Sequence, residues 1–460
     1  MSKELASRPL VIAFLGLVAG LASGFEPSNV FFVLVLAPVL KGLRQWSILA
    51  AAVLAGLLLR VHPEPLVKVQ GGTYRGPAVV LNCPATERDS IVMVVQAKDK
   101  RYRLRMPEDS NLNLGDKIEI DAKIVPLSEH AVSQRLEVAE LRAQHPVRVV
   151  EPGFVGWKWG MSLRRGFLTF VEAHVDKRVV GMVEALTLNV SGDLPSTMVD
   201  SLKRSGTIHV ISASGLHVTI IAFALAWLLL ALPVPRWAQL VALSACLFFY
   251  GAAAGFHPPM FRAIVMVETL SFAYLFFREA DTLSALALSG VLTMLLEPES
   301  VATIGFQLSY VAVAALLMFG PRDWPARQVT VVRRIGDWLM AAIKTSVVAT
   351  LATAPLLAYS FGLVPLVTPV SNLLVVPVVP VVVITSLAGW AASLLWPGLG
   401  VGLLKVVVEP LVAWMGTAVE TLANQSWAAV EVPKFSPYWL IAVYVCYAAL
   451  YRFQKRQAED

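Results

Sequence analysis

The stretch Ser205-Gly-Thr-Ile-His-Val-Ile-Ser-Ala-Ser-Gly-Leu-His-Val-Thr219 decides the fold, because it joins polar chemistry to the apolar segment Ile220–Leu232. On a helix turning about 100° per residue, four of its polar side chains spread over one half of the surface. These are His209, Ser212, Ser214 and His217. An unpaired polar group in lipid costs about 2–7 kcal/mol. The pattern therefore predicts a membrane helix with one face on protein interior or on a water-filled cavity.

Composition places the chain among polytopic membrane proteins. Of its 460 residues, 57% are hydrophobic and 15% are charged, and the mean hydropathy is +0.66. The formal net charge of +6 gives only weak support for a nucleic-acid partner. Three cysteines lie far apart and seven histidines are scattered, a distribution that favours neither a disulfide framework nor a metal site. We expect no metal and no cofactor.

Apolar segments lie on both sides of a soluble insert. Residues 1–60 are predicted to form transmembrane anchors, and residues 207–460 a larger membrane domain, with about 10–12 spans in total. Basic residues at the chain start and before the third segment place the insert outside the cytoplasm, unless the second segment inserts only halfway and inverts the orientation. Residues 154–206 mix aromatic and basic residues, as amphipathic helices at a membrane interface do. Helices of this kind also pack on other helices.

Residues 66–150 differ in character, because charges are frequent and the hydrophobic period falls to two. The predicted elements are strands at 78–82, 90–96, 102–106, 117–125 and 147–150, with a helix at 134–143. Five short strands in some 80 residues suit a small barrel of the OB type, with a β-sandwich as the alternative. The predicted fold is thus a polytopic α-helical membrane protein with an inserted OB-like, extracytoplasmic β-barrel.

One predicted strand of the insert, Lys98-Asp-Lys-Arg-Tyr-Arg-Leu-Arg105, is rich in cations. Strand alternation places three of them on one face: Arg101, Arg103 and Arg105. Together with Lys98 and Lys100, such a row is able to follow a phosphate backbone. The alternative is an ordinary solvated strand face, since residues 66–150 contain 13 basic and 11 acidic residues.

Further polar residues lie at membrane depth in the second half of the chain. They are Arg262, Gln307 and Asn372, close to several prolines that interrupt the helices. Helices broken by proline are tolerated where they face protein or a water-filled path. Interhelical hydrogen bonding or snorkelling explains each residue singly, whereas the set favours a polar path through the bundle. The predicted lining is His209, Ser212, Ser214, His217, Arg262, Gln307 and Asn372.

Catalytic signatures are absent from the sequence. It holds no H-E-x-x-H and no G-x-x-x-x-G-K-[ST], and Ser214 lacks the first glycine of G-x-S-x-G because Ser212 takes that place. We therefore predict no catalytic residue. An intramembrane serine hydrolase, with His217 three residues from Ser214, is a minor alternative. A transporter of a small anionic or lipid-linked solute is another.

The stretch Ser205–Val218 resembles the signature of the ComEC-type competence proteins, the inner-membrane channels of natural transformation. The likeness continues in the same order at Pro259–Met266, Glu297–Tyr310 and Ser371–Pro380, and the insert is similar to the family's N-terminal OB-like domain. This resemblance implies passage of single-stranded DNA through the bundle across the cytoplasmic membrane. It also implies DNA contact at the arginines of residues 98–105 and a path shaped by the polar residues of the bundle.

The resemblance implies three partners besides membrane lipids. An extracytoplasmic receptor would deliver the DNA, and a cytoplasmic motor would pull it. Many members of the family carry a metallo-β-lactamase-like domain after the membrane part, and no corresponding histidine cluster precedes Asp460. We expect that a separate nuclease supplies that activity, or that the chain is a fragment or a divergent homologue.

Overall fold

A computed structural model describes most of the chain. The described residues are 10–11, 13–14, 17–18, 72–81, 85–87, 90–98, 100–107, 112–126, 139–145, 147–190, 192, 194–211, 215–231, 233–276, 281–297, 300–301, 303–321, 331–433, 435–436, 438–440, 442–444 and 446–447. Most of the anchors predicted in residues 1–60, and the orientation inferred from them, lie outside these ranges.

The insert forms a closed β-barrel. Its strands are β1 (Gly72–Val80), β2 (Ala85–Glu87), β3 (Ser90–Ala97), β4 (Lys100–Pro107), β5 (Lys117–Pro126), β6 (Ala139–Ala143) and β7 (Arg148–Glu151). Five of them close a ring in the order β1-β3-β4-β6-β5, with β5 returning to β1. The β4–β6 pair is parallel and the other pairs are antiparallel. Strands β2 and β7 attach outside the ring, to β3 and β5.

Alternating hydrophobicity builds the barrel core. In β4 the buried side chains are Tyr102, Leu104 and Met106, and the residues between them face outward as the alternation predicts. Matching residues of the other strands complete the core, including Met93, Val95, Ile118, Ile120 and Leu141. Each such fully buried side chain contributes about 1.5–3 kcal/mol through the hydrophobic effect.

The predicted helix at 134–143 is wrong where the structure describes it. Residues 139–143 form β6, which fills the gap between β4 and β5 and closes the ring. Its residues are good helix formers, but pairing with strands on both sides overrides that local preference. Strand β1 also begins six residues before its predicted start at 78, at Gly72, and β2 was not predicted.

Helices make up most of the remaining described chain. They are α1 (Val155–His174), α2 (Val180–Leu188), α3 (Ser196–Ser205), α4 (Ile208–Ile211), α5 (Gly215–Leu230), α6 (Arg236–Ala254), α7 (Pro258–Leu275), α8 (Thr282–Leu296), α9 (Ile304–Phe319), α10 (Val331–Phe361), α11 (Thr368–Val375), α12 (Val378–Ser393), α13 (Pro397–Leu403) and α14 (Glu409–Ala423). A π-helical turn at Leu404–Val408 joins α13 to α14, and strands β8 (Leu363–Pro365) and β9 (Ala429–Glu431) form a two-stranded sheet.

Four helical stretches are long and apolar enough to cross a bilayer, as a membrane protein requires. They cover Arg236–Ala254, Arg333–Phe361, Thr368–Ser393 and Pro397–Ala423, and three shorter apolar helices cover Gly215–Leu229, Thr282–Leu296 and Ile304–Leu317. Large hydrophobic side chains on these helices are exposed, which fits a lipid-facing surface.

The chain divides into two compact units. The first comprises Met1–Leu194, Val210–Gln307 and Val379–Ala413, and the second comprises Pro195–His209, Leu308–Val378 and Trp414–Asp460. In the first unit, α1 packs on α6, and α7 packs on α5, α6 and α8. In the second unit, α10 packs on α11 and β8.

Candidate nucleic-acid interface and membrane path

The outward face of β4 carries the predicted arginines. In the parallel β4–β6 register, Arg103 stands beside Glu140 and Arg105 beside Arg142. The Nε atom of Arg105 lies 3.2 Å from Oε1 of Glu140, and Nε of Arg142 lies 2.8 Å from the same oxygen. Arg105 also donates a hydrogen bond from Nη1 to the hydroxyl of Ser90 at 2.9 Å. The structure therefore brings β4 and β6 together around one carboxylate.

Glu140 is the anion at the centre of this group, with only 7% of its surface exposed. Burial opposes its ionisation, but the hydrogen bond from Arg142 and the charges of Arg105, Arg142 and Arg103 outweigh burial, so the pKa of Glu140 lies below its ordinary value. Glu140 is therefore ionised at neutral pH. It neutralises part of the cationic charge around it.

Two further cations join this face that the sequence reasoning missed. The register places Arg142 of β6 beside Arg105, and it places Lys123 of β5 opposite Arg142. A row of three cations thus crosses β4, β6 and β5. The alternation of Ala139-Glu-Leu-Arg-Ala143 was the available signal, but the assignment of 134–143 to a helix hid it. We call Arg101, Arg103, Arg105, Arg142 and Lys123 the basic patch.

Arg101 lies at one end of the patch and has a partner on a helix. Its Nη2 atom is 3.8 Å from Oε1 of Glu297, the residue that follows α8, and both side chains are partly exposed. Lys98 occupies the β3–β4 turn at φ +47°, with Nζ 5.8 Å from the ring centre of Tyr74. Lys100 begins β4 and is half-buried.

The surface around the arginines is otherwise small or aliphatic. The side chains that share this face on β3, by register opposite the β4 arginines, are Val92, Val94 and Gln96. No aromatic side chain faces outward among the described residues of β3, β4 and β6, because Tyr102 is in the core. The face therefore offers charge and hydrogen-bond donors to a backbone, with no platform for stacking bases.

Three predicted path residues lie in the first unit. Arg262 is buried in α7, and a Cβ added to Gly215, the first residue of α5, would lie 3.5 Å from its Nη2 atom. His217, in the first turn of α5, is 1% exposed. Gln307 donates a hydrogen bond from Nε2 to the carbonyl of Val301 at 3.1 Å. The structure thus brings Arg262 to the start of α5. Gln307, in the first turn of α9, bonds to the segment that precedes its own helix.

Two predicted path residues lie in the second unit. Asn372 donates a hydrogen bond from Nδ2 to the hydroxyl of Ser346 at 2.9 Å, which joins α11 to α10. The side chain of His209 is exposed, and its Nδ1 atom is 2.9 Å from the carbonyl oxygen of Gly206. Ser212 and Ser214 lie outside the described residues.

Gly206, inside the signature stretch, occupies a position that excludes side chains. Its φ is +75°, in the left-handed region, and a Cβ there would collide with the hydroxyl of Thr368. Beside it, the buried hydroxyls of Ser205 and Thr207 lie 2.7 Å apart. Local packing within the second unit therefore accounts for part of the signature.

Arg164 is a buried cation that the sequence pattern did not separate from its neighbour Arg165. Arg165 is exposed, but only 4% of Arg164 is exposed, and its Nη1 donates hydrogen bonds to the carbonyls of Leu188 at 3.3 Å and Ala253 at 2.9 Å. These carbonyls end α2 and α6, where a cation complements the negative ends of the helix dipoles. Arg164 therefore holds two helix ends together, whereas its neighbour Arg165 is exposed.

A carboxylate also lies between two helices of the first unit. Ser244 of α6 donates a hydrogen bond to Oε2 of Glu268 in α7 at 2.7 Å. In the part of the chain that the structure describes, no three His, Cys, Asp or Glu side chains group as metal ligands would.

Comparison with known proteins places the sequence in context. Residues 186–457 match the family model described as Competence protein, which covers more than half of the chain. The chain is 23% identical over 380 residues to ComE operon protein 3 of Bacillus subtilis (strain 168), covering 77% of this chain and 48% of that protein. It is 30% identical over 318 residues to Competence protein ComA of Neisseria gonorrhoeae, covering 64% of this chain and 42% of that protein.

A third relative is an uncharacterized protein of Aquifex aeolicus (strain VF5), 30% identical over 198 residues, which cover 43% of each chain. The chain thus spans less than half the length of the curated relatives it matches. No solved structure matches it.

Proposed function

This chain belongs to the family of competence proteins, and on that premise we propose that it is the channel subunit that carries single-stranded DNA across the cytoplasmic membrane during natural transformation. In this proposal residues 1–60 anchor the chain, residues 66–150 form an extracytoplasmic DNA-binding domain, residues 154–206 lie at the membrane interface, and residues 207–460 form the channel. The observation that carries the proposal is the family match across 186–457, which contains every predicted path residue.

The barrel supports an OB-like assignment by its connectivity. Five strands close in the order β1-β3-β4-β6-β5. Counted along the chain, the third of these five strands, β4, pairs in parallel with the fifth, β6. In OB folds the face of the second and third strands, with adjacent loops, binds oligonucleotides. The basic patch includes the outward side of that third strand. The position of the basic patch favours this face as the surface that binds DNA.

The composition of the patch favours contact with phosphates over recognition of bases. Its arginines and lysine supply cations and donors, and its neighbours supply no stacking ring in the described strands. Binding of this kind is tolerant of sequence and weakens steeply as salt rises. Tolerance of sequence is what the uptake of arbitrary DNA requires.

Within the helices, a strand that carries one charge per nucleotide needs cations and donors in place of lipid. Arg262 supplies a buried cation at the start of α5, whose helix N-terminus also favours negative charge. We assign His209, Ser212, Ser214, His217, Gln307 and Asn372 to the lining as polar groups, with no catalytic role. An extracytoplasmic receptor, a cytoplasmic motor and a separate nuclease complete the proposed pathway.

The test uses competent cells in which this chain alone is deleted and then restored. We expect transformation to fall to background on deletion and to return with the wild-type chain. Unchanged transformation in the deletion strain would eliminate the proposal and favour the transporter of a small anionic or lipid-linked solute. Restoration by Ser214→Ala would count against the hydrolase, and loss in that variant would revive it.

A further inference from the structure

An exposed apolar strip runs from the last strand of the barrel into the first described long helix. Its residues are Val150, Phe154, Val155, Trp159 and Leu163, whereas Val149 points to the other face of β7. Phe154, Trp159 and Val150 are 64%, 62% and 59% exposed. Neighbouring exposed apolar side chains of this size are typical of a contact surface. The α1 members are spaced four residues apart, so they share one face of the helix.

The opposite face of α1 is fixed to a helix long enough to cross the membrane. A methyl group on Gly160 would collide with Ala252 of α6, so the two backbones are in close contact. The ring of Trp157 lies 5.5 Å from that of Phe248 and 5.2 Å from that of Phe256. Trp159 of the strip also stacks on Phe249 of α6, with the ring centres 6.0 Å apart. The strip therefore lies beside a candidate span.

The junction between the barrel and α1 is held by hydrogen bonds and by a close backbone contact. Asp116 is 1% exposed, and its two carboxylate oxygens accept hydrogen bonds from the backbone N–H groups of Gly153 and Asn113, each at 2.7 Å. A Cβ on Gly153 would lie 2.6 Å from the carbonyl oxygen of Leu114. This junction fixes the direction in which the barrel leaves α1, so the strand and helix parts of the strip keep a constant relation.

Basic residues border the strip. Arg148 precedes it in β7, and Lys158 and Arg165 lie along one side of it on α1. The carboxylate of Glu151, next to Val150, is paired with Lys117 at 2.6 Å. Aromatic rings with adjacent lysine and arginine are typical of the headgroup region of a bilayer, where the rings enter the acyl boundary and the cations meet anionic phosphates. The charge pattern and the continuity with α6 both indicate lipid as the occupant, in preference to a protein partner.

We propose that the strip is a membrane-docking surface that lies in the headgroup and upper acyl layer of the bilayer spanned by the helices. Strand β7 then rests on the membrane surface, and the junction at Asp116 and Gly153 turns that contact into a fixed orientation of the barrel. The proposal rests on the interfacial placement of residues 154–206 in the proposed function, and its test is separate from the transport of DNA.

The test places a nitroxide at residue 150, 154 or 159 of the full chain in which Cys83, Cys246 and Cys446 are replaced. The protein is studied in nanodiscs that contain phosphatidylglycerol, with collisions of oxygen and of a water-soluble nickel chelate measured at each label. A label at Thr73, an exposed residue of β1 that pairs with Lys123 and not with the part of β5 beside β7, is the matched water-facing control. We expect the ratio of oxygen to nickel accessibility to be several-fold higher at the three strip positions than at residue 73.

Nickel accessibility at the strip equal to that at residue 73 would overturn the proposal, because the strip would then face water. Exclusion of both reagents would also overturn it, because a second copy or another protein segment would then cover the strip. The variant Lys158→Gln/Arg165→Gln is expected to reduce the ratio in phosphatidylglycerol nanodiscs and not in phosphatidylcholine nanodiscs. Equal ratios in the two lipids for the wild-type chain would remove the assigned role of anionic headgroups.

Discussion

The barrel and the helices of this chain hold their arginines in opposite ways. On the barrel, Arg105 and Arg142 share the carboxylate of Glu140, and Arg101 is paired with Glu297, with the arginine side chains at least partly in contact with water. In the helices, Arg164 is buried and donates to the carbonyls of Leu188 and Ala253. Ion pairs near water contribute little to stability. A buried cation destabilises the fold strongly when its N–H groups lose the acceptors that they bind.

The two regions differ in whether their polar groups can exchange their present partners for a ligand. Cations of the basic patch are partly exposed, so we expect a polyanion to compete with Glu140 and Glu297 for them. Polar groups in the helices are structural first, so a loss of transport after their substitution does not by itself identify a path residue. Substitutions in the two regions should therefore differ, with the larger stability losses in the helices and the changes in DNA binding on the barrel.

Arg164→Met has the largest expected effect, a loss of about 2–5 kcal/mol of unfolding free energy, because two buried helix-end carbonyls lose their donor. Arg165→Met, the exposed neighbour on the same helix, is expected to stay within about 0.5 kcal/mol of wild type. Thermal unfolding of both variants in the same detergent provides the measurement. Equal stability of the two variants would break the division between barrel and helices.

Glu140→Gln is expected to cost about 1–2 kcal/mol at pH 7, between the values for exposed and buried ion pairs, and to tighten binding of single-stranded DNA. The folded-state pKa of Glu140 lies below the ordinary value of 4.5, so its stabilisation is present above that pH and is lost as pH falls further. The difference in unfolding temperature between wild type and variant should therefore shrink below about pH 4.5. A difference that is constant from pH 7 to pH 3 would contradict this assignment.

Asn372→Ala removes the hydrogen bond to Ser346 between α10 and α11. Interhelical hydrogen bonds in membranes contribute about 0.6 kcal/mol on average, so we expect a loss of that order. Ser346→Ala should cost a similar amount, and the double variant little more than either single one. Additive losses in this double-mutant cycle of unfolding free energies would show that the two side chains act independently.

Glu297→Gln has the smallest expected effect. A carboxylate that holds Arg101 competes with phosphate for the same guanidinium, and an exposed pair contributes about 0.2–1 kcal/mol. The variant should bind single-stranded DNA about two- to fivefold more tightly, and only when Arg101 is present. Fluorescence anisotropy of a labelled oligonucleotide with the purified full chain measures this. The same gain in an Arg101→Ala background would show that Glu297 acts in some other way.

Local patterning predicted the features that depend on neighbouring residues in the chain. The alternation around Tyr102, Leu104 and Met106 correctly placed the arginines of β4 outward. Strand β6 was missed because its residues favour a helix locally, and only pairing with β4 and β5, distant in sequence, makes them a strand. Because β6 was missed, the position of Arg142 opposite Lys123 was not predicted either.

The burial of individual residues could not be predicted from the sequence either. Arg164 and Arg165 are adjacent and identical in type, and only the approach of helix ends 24 and 89 residues away decides which one is buried. The same holds for His209 and His217, which the pattern placed on one half of a helix. The structure exposes the first and buries the second.

The most direct test of the central claim follows labelled DNA into the cytoplasm of competent cells. Compared strains carry the wild-type chain, an Arg101→Ala/Arg103→Ala/Arg105→Ala variant, or a control with Arg75→Ala/Lys117→Ala, exposed cations of β1 and β5 outside the basic patch. We predict that DNA reaches the cytoplasm with the wild-type and control chains and accumulates outside with the triple variant at equal protein levels. Normal entry of DNA with the triple variant would contradict the proposed role of the basic patch.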